Sequence, residues 1–224
     1  MCGRFGFWAE PQEVQAHFQL QEPLPLQPRY NIAPSQEIVA VGQDENQQRH
    51  PATFRWGLIP HWSKDTKPGY KMINARAESL WQKPAYKSAA KRRRCLVPAS
   101  CFFEWKRSDG SKQPYCIRPK RRELFAFAAI WERWKNSETG ETIFSCAIVT
   151  TPANEAVSIL HDRMPAILDR PSFDLWLDRT VRESTELQEL LSPCPSDWLD
   201  LHPVSKRVNS PKNDTKDVVQ PVDA

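Results

Sequence analysis

The chain begins Met1-Cys2-Gly3-Arg4-Phe5, and Cys2 is the residue whose chemistry depends most on its position. A small second residue permits removal of the initiator methionine, so the mature chain is expected to start at Cys2. A terminal cysteine carries a free α-amine and a thiol on adjacent carbons, a pair that no internal residue has. Their reference pKa values, about 7.7–8.0 and about 8.5, leave both reactive forms accessible near neutral pH. Such an aminothiol condenses with an aldehyde to an imine, and the sulfur then closes a thiazolidine ring.

Six further residues could serve chemistry of this kind. Glu104 stands in Phe102-Phe103-Glu104-Trp105; a carboxyl among such aromatics is partly desolvated and its pKa rises toward the range of a general acid. An edge position with the carboxylate in water is the alternative. His161, in Leu160-His161-Asp162-Arg163, falls at a helix-to-strand corner and is suited to proton transfer near neutrality, although a lone histidine is more often structural. Asn74 and Arg76 alternate on an extended segment and so share a face. An amide and a guanidinium there suit a sugar oxygen and a phosphate, or a turn and a solvated surface. Trp56 and Trp62 flank a Gly/Pro turn. One of them is expected in the core, and the other is left as a candidate platform for an unpaired base.

The elements that must hold these groups are legible as periodicity. Residues 10–20 read as a helix with Val14, Phe18 and Leu20 inward, 21–34 as a proline-rich connection, and 36–42 and 52–59 as strands around a polar turn. A helix is expected over 77–91. The segments 94–106, 113–118, 123–134 and 142–151 read as successive antiparallel strands. Asn154 caps a short helix to about Leu160, and a strand at 164–168, helices near 171–179 and 182–191 and an extended piece at 201–208 follow. This predicts one α+β domain over residues 1–224, an antiparallel sheet or open barrel with peripheral helices, its last ten or so residues a loose tail.

Twenty prolines against seven glycines favour short rigid connections over long helices. No apolar run reaches membrane-span length and no signal peptide is evident, so a soluble, intracellular protein is expected. Six cysteines without Cys-x-x-Cys spacing and five scattered histidines give no support to a disulfide framework or a metal site. The net charge of +4 is concentrated in Lys91–Arg94 and Lys120–Arg122, which suit a phosphate backbone or a solvated surface equally.

Taken together, Met1–Phe5, Arg29–Pro34, Trp56–Pro60, Asn74–Glu78, Arg94–Ala99, Phe102–Trp105, Thr150-Thr151 with Asn154, His161–Leu168 and the stretch from His202 to Asp214 resemble the SOS-response-associated peptidase family of abasic-site processing proteins. The segments appear in the family's order over nearly the whole chain; Ser100-Cys101 and Phe103 depart from its pattern. The resemblance implies a cofactor-free, monomeric protein of the cytoplasm, nucleoid-associated if bacterial. Its implied partner is single-stranded DNA containing abasic sites. By the same resemblance Cys2 forms a thiazolidine with the ring-opened sugar, and β-elimination from the imine gives a lyase activity. Glu104 assists ring opening, His161 shuttles a proton to or from the sugar oxygen, and Asn74 positions the sugar and the N-terminus. Arg4, Arg76 and Arg163 contact phosphates, with Trp56 or Trp62 near the bases. Two other readings stand beside this one: an N-terminal-cysteine peptidase, autoproteolytic at Met1, and a non-covalent single-strand binder.

Overall fold

The computed structural model describes residues 2–24, 26–108, 110–120, 124–183 and 185–223. Thirteen strands run β1 Phe5–Phe7, β2 Arg29–Ile32, β3 Glu37–Gln43, β4 Arg49–Trp56, β5 Asn74–Arg76, β6 Arg94–Ala99 and β7 Cys101–Ser108. They continue as β8 Ser111–Pro119, β9 Phe125–Lys135, β10 Thr142–Pro152, β11 Arg163–Pro165, β12 Ile167–Leu168 and β13 Leu199–Pro203. The α-helices are α1 Pro11–Phe18, α2 Pro84–Arg92, α3 Glu155–Ser158, α4 Phe173–Leu177 and α5 Thr185–Glu189. The architecture is a single α+β domain, as the periodicity predicts.

Five strands close on themselves in the order β10-β4-β3-β6-β9-β10, with only the β10–β4 contact parallel. Closure removes the exposed edges that an open sheet would leave. β5 and β11 attach to β10, and β12 to β9. A second, antiparallel sheet has the order β13-β8-β7-β1-β2. The chain passes from barrel to second sheet at Ser100, whose side chain accepts from the backbone N–H of Trp8 at 2.9 Å. The single strand expected over 94–106 is therefore two strands in two sheets.

This break sets up the alternation that matters. On β7, Phe102 packs into the main core with Phe5, Trp56 and Phe127, while Cys101 and Phe103 face a second cluster formed with Cys116, Val204, Val208 and Val218. Period-two alternation then places Glu104 on the same side as Phe102. Trp56 is fully buried, edge-on to Phe5 at 5.2 Å, and its indole N–H donates to the Ile73 carbonyl at 2.9 Å. The main core thus fixes both ends of the site, β1 behind Cys2 and β5 at Asn74. Beyond Trp56 the chain turns at Gly57, φ +131°, where a Cβ would stand 2.1 Å from the Gly69 carbonyl oxygen, so only glycine fits.

Several boundaries differ from the periodic reading. Arg29–Ile32 is a strand within the proline-rich stretch, because β1 offers it a pairing edge. Residues 77–91 are helical in two pieces, a 3-10 turn at Ala77–Ser79 and then α2, with Pro84 starting the second helix where its missing N–H does no harm. Asn154 does cap α3, its Oδ1 accepting from Val157 N at 3.0 Å. The terminal segment read as a loose tail is fastened: Val218 and Val219 are buried, and Val222 N donates to the Pro203 carbonyl at 3.0 Å. Apolar residues spaced too closely for a strand or helix signal hold it down. All six cysteines are free and buried. No described helix is long and apolar enough to cross a membrane.

Candidate active site

Cys2 is fully buried, one residue pair ahead of β1. Its carbonyl accepts from Asn74 Nδ2 at 2.7 Å. Asn74 is itself held by the parallel pairing of β5 with β10, Asn74 opposite Ile148, and by Tyr86, whose hydroxyl donates to the Asn74 carbonyl at 3.1 Å. Burial, and then the charge of neighbouring Glu104, push the Cys2 thiol up to about 12. The thiol is therefore a protonated group at rest.

Glu104 is 3% exposed, and burial pushes its carboxyl up to about 7. The position is the desolvated one of the two that the sequence leaves open. A carboxyl in this range both gives and takes a proton near neutrality. His161 follows α3, its backbone N–H bonded to the Val157 carbonyl at 3.0 Å. The Arg163 backbone N–H donates to His161 Nδ1 at 3.0 Å, while Asp162 Oδ1 lies 2.7 Å from the same nitrogen. Both contacts cannot be satisfied by one protonation state. The backbone donor is fixed and Asp162 is largely exposed, so Nδ1 is the acceptor and the neutral ring carries its proton on Nε2. Burial pulls the imidazole below its ordinary pKa, in keeping with that neutral form.

Glu104 and His161 line one cavity of about 440 Å³, together with Trp105, Arg107, Lys112 and Asn209. Cys2, Asn74, Glu104 and His161, scattered over 160 positions of sequence, thus converge on one region through β1, β5, β7 and the corner after α3. The remaining sequence candidates are placed differently. Arg4 turns inward, its Nη1 donating to Asn31 Oδ1 at 2.8 Å and to the Val208 carbonyl at 2.7 Å. Arg163 makes a two-pronged pair with Glu78, at 2.5 and 3.0 Å, and donates to the Thr150 carbonyl at 2.6 Å. Arg76 is exposed. Trp56 is core, and Trp62 is 60% exposed.

The first basic cluster is largely used within the fold. Lys91 pairs with Glu183, Arg93 with Glu132, and Arg94 is buried with its guanidinium on the carbonyls of Ala90, Trp176, Asp178 and Val181. In the second cluster Arg121 and Arg122 lie outside the described residues. The sequence reading passed over Arg107, Lys112 and Asn209. The first two flank a hairpin turn that contains Gly110, a signal of position but not of role.

A near-terminal cysteine stands here beside a carboxyl that exchanges its proton near neutrality, on a barrel braced by a second sheet. Residues 1–211 match the family model of the SOS response associated peptidase (SRAP) domain, and the chain belongs to that family. It is 42% identical over 98% of its length to abasic site processing protein YoqW of Bacillus subtilis (strain 168), covering 99% of that protein. It is 34% identical to abasic site processing protein HMCES of Gallus gallus over 82% of its length and 61% of that protein. A crystal structure of a protein from Bacteroides thetaiotaomicron superposes with a TM-score of 0.87 at 26% identity, covering 99% of this chain and 100% of that one.

Proposed function

We propose that this protein captures abasic sites in single-stranded DNA as a covalent thiazolidine on Cys2, once Met1 has been removed. The observation that carries the reading is the seat of Cys2: a near-terminal cysteine, tied by its carbonyl to Asn74, against a carboxyl whose pKa is about 7. The names of the relatives point to the same class of substrate.

An abasic sugar is mostly a closed hemiacetal. Opening it takes a proton from the C1′ hydroxyl and returns one to the ring oxygen. Glu104 as carboxylate takes the first and, once protonated, returns it toward the ring oxygen, to which the His161 Nε2–H donates a hydrogen bond that carries the proton across. The Cys2 amine then adds to the exposed aldehyde, and loss of one water gives the imine. Addition of the thiol across the C=N bond closes the ring, its proton ending on nitrogen. The order is amine first, since burial keeps the sulfur protonated until the imine stands beside it. An N-terminal-cysteine peptidase would use the same amine as a base toward its own thiol, and turnover of a peptide without DNA would favour that reading. From the imine, proton loss at C2′ leads to β-elimination, so a residual lyase activity accompanies capture.

On a denaturing gel the mature chain should leave a shifted band with an abasic oligonucleotide and none with an intact one, and Cys2→Ala should abolish it. A persistent band from Cys2→Ala would remove Cys2 from the chemistry. Of Arg4, Arg76 and Arg163, Arg76 is the one whose side chain is exposed and open to a phosphate. Arg76→Ala should weaken binding across sequences and flatten the log–log salt dependence by about 0.7. Arg4→Ala should instead lower the melting temperature, because it strips two inward hydrogen bonds. Equal effects of the two on the salt slope would contradict this division.

A further inference from the structure

We infer that Arg107 and Lys112 form a phosphate clamp on the wall of the site cavity, gripping one phosphodiester next to the captured sugar. Three observations converge on it. The two residues are directly opposite on β7 and β8, where facing side chains have Cβ atoms about 4.5–5.5 Å apart and like charges repel. Both are exposed, and among the described residues neither has a carboxylate partner in an ion pair. Two cations face to face, with no ion-pair partner among the described residues, are arranged to receive an anion from outside. Both line the same cavity as Glu104 and His161, so that anion would lie beside the reacting groups.

The third wall adds a donor of the same kind. Asn209 Oδ1 accepts from the Trp105 indole N–H at 2.8 Å, which fixes the amide orientation and leaves its NH₂ group as the polar face still to be used. Guanidinium, ammonium and amide together offer only donors, as a tetrahedral oxyanion requires and as a neutral sugar or base does not. A phosphate held here would set the distance of the neighbouring sugar from Glu104 and His161. The clamp would then govern positioning as well as affinity. This inference rests on the abasic-site reading above.

The test uses the full chain with Met1 removed, a tetrahydrofuran abasic analogue for non-covalent binding, and a true abasic oligonucleotide for capture. Arg107→Gln/Lys112→Gln changes two exposed side chains, and an unchanged melting temperature confirms that it folds. The double variant should bind the analogue about tenfold more weakly, with a salt slope reduced by about 0.7 for the one phosphate lost. Replacing one linkage at a time by a neutral methylphosphonate locates that phosphate. At one linkage beside the analogue, wild type should lose affinity and the double variant should lose nothing further. Unchanged affinity and slope in the double variant, or full additivity at every linkage, overturns the clamp while leaving capture intact. Failure of wild type to capture the true abasic oligonucleotide overturns the underlying reading, and the clamp with it.

Discussion

Glu104→Gln is expected to slow capture of abasic DNA by about 10²-fold or more while leaving affinity for a non-reactive analogue within about twofold. Proton transfer by a positioned side chain contributes typically 10²–10⁴-fold, and the amide has nearly the same shape but cannot exchange a proton. The same variant should be more stable than wild type at pH 8. Folding raises the Glu104 pKa to about 7, above its unfolded value. The native state therefore holds this proton more tightly than the unfolded chain, and the stability it gives is fully present below the unfolded pKa. That stability is lost as the pH rises toward 7, by roughly 3–4 kcal/mol. Glutamine removes the penalty. Denaturant titration at pH 5 and pH 8 should show a gain for the variant that grows with pH, and a pH-independent difference would contradict the burial argument. Lower activity joined to higher stability marks a residue retained for chemistry.

The groups that make up this site were legible because each carries its signal locally. A second-position cysteine and a carboxyl in an aromatic strand are visible in a few residues, and so are an asparagine on an extended segment and a histidine after a capped turn. What was not legible depends on distant partners. Arg163 reads as a phosphate contact until Glu78, 85 positions away, occupies its guanidinium. Arg4 reads the same way until Val208, 204 positions away, accepts from it. The division of 94–106 at Ser100 hinges on a hydrogen bond to Trp8, and the strand at Arg29–Ile32 on the edge that β1 presents. Pairing of this kind has no periodicity to betray it.

A second large effect follows from the covalent state of the Cys2 nitrogen. In a chain that retains Met1 or an N-terminal tag this nitrogen is a peptide amide. Its lone pair is delocalised into the carbonyl, so it cannot form an imine. The thiol alone gives a hemithioacetal, which reverses on denaturation. A terminal cysteine closes its second bond within one molecule, with the high effective concentration of an intramolecular reaction. An uncleaved tag should therefore abolish the denaturation-resistant adduct while leaving binding to an abasic analogue within a few-fold, and proteolytic exposure of Cys2 should restore the adduct. Tagged protein that crosslinks at the untagged rate would contradict the ring mechanism. Loss of analogue binding in the tagged form would place the tag's effect in access and not in chemistry.

The central claim is that Cys2, as the first residue, joins the sugar through both nitrogen and sulfur. Intact-mass analysis of the denatured adduct tests it most directly. The account predicts one species, the chain without Met1 plus the abasic oligonucleotide less one water, with digestion placing the modification on the peptide that begins at Cys2 and the Cys2 thiol closed to alkylation, which separates the ring from the imine of equal mass. An adduct whose mass retains Met1, or whose modification maps to a lysine or to another cysteine, would contradict it.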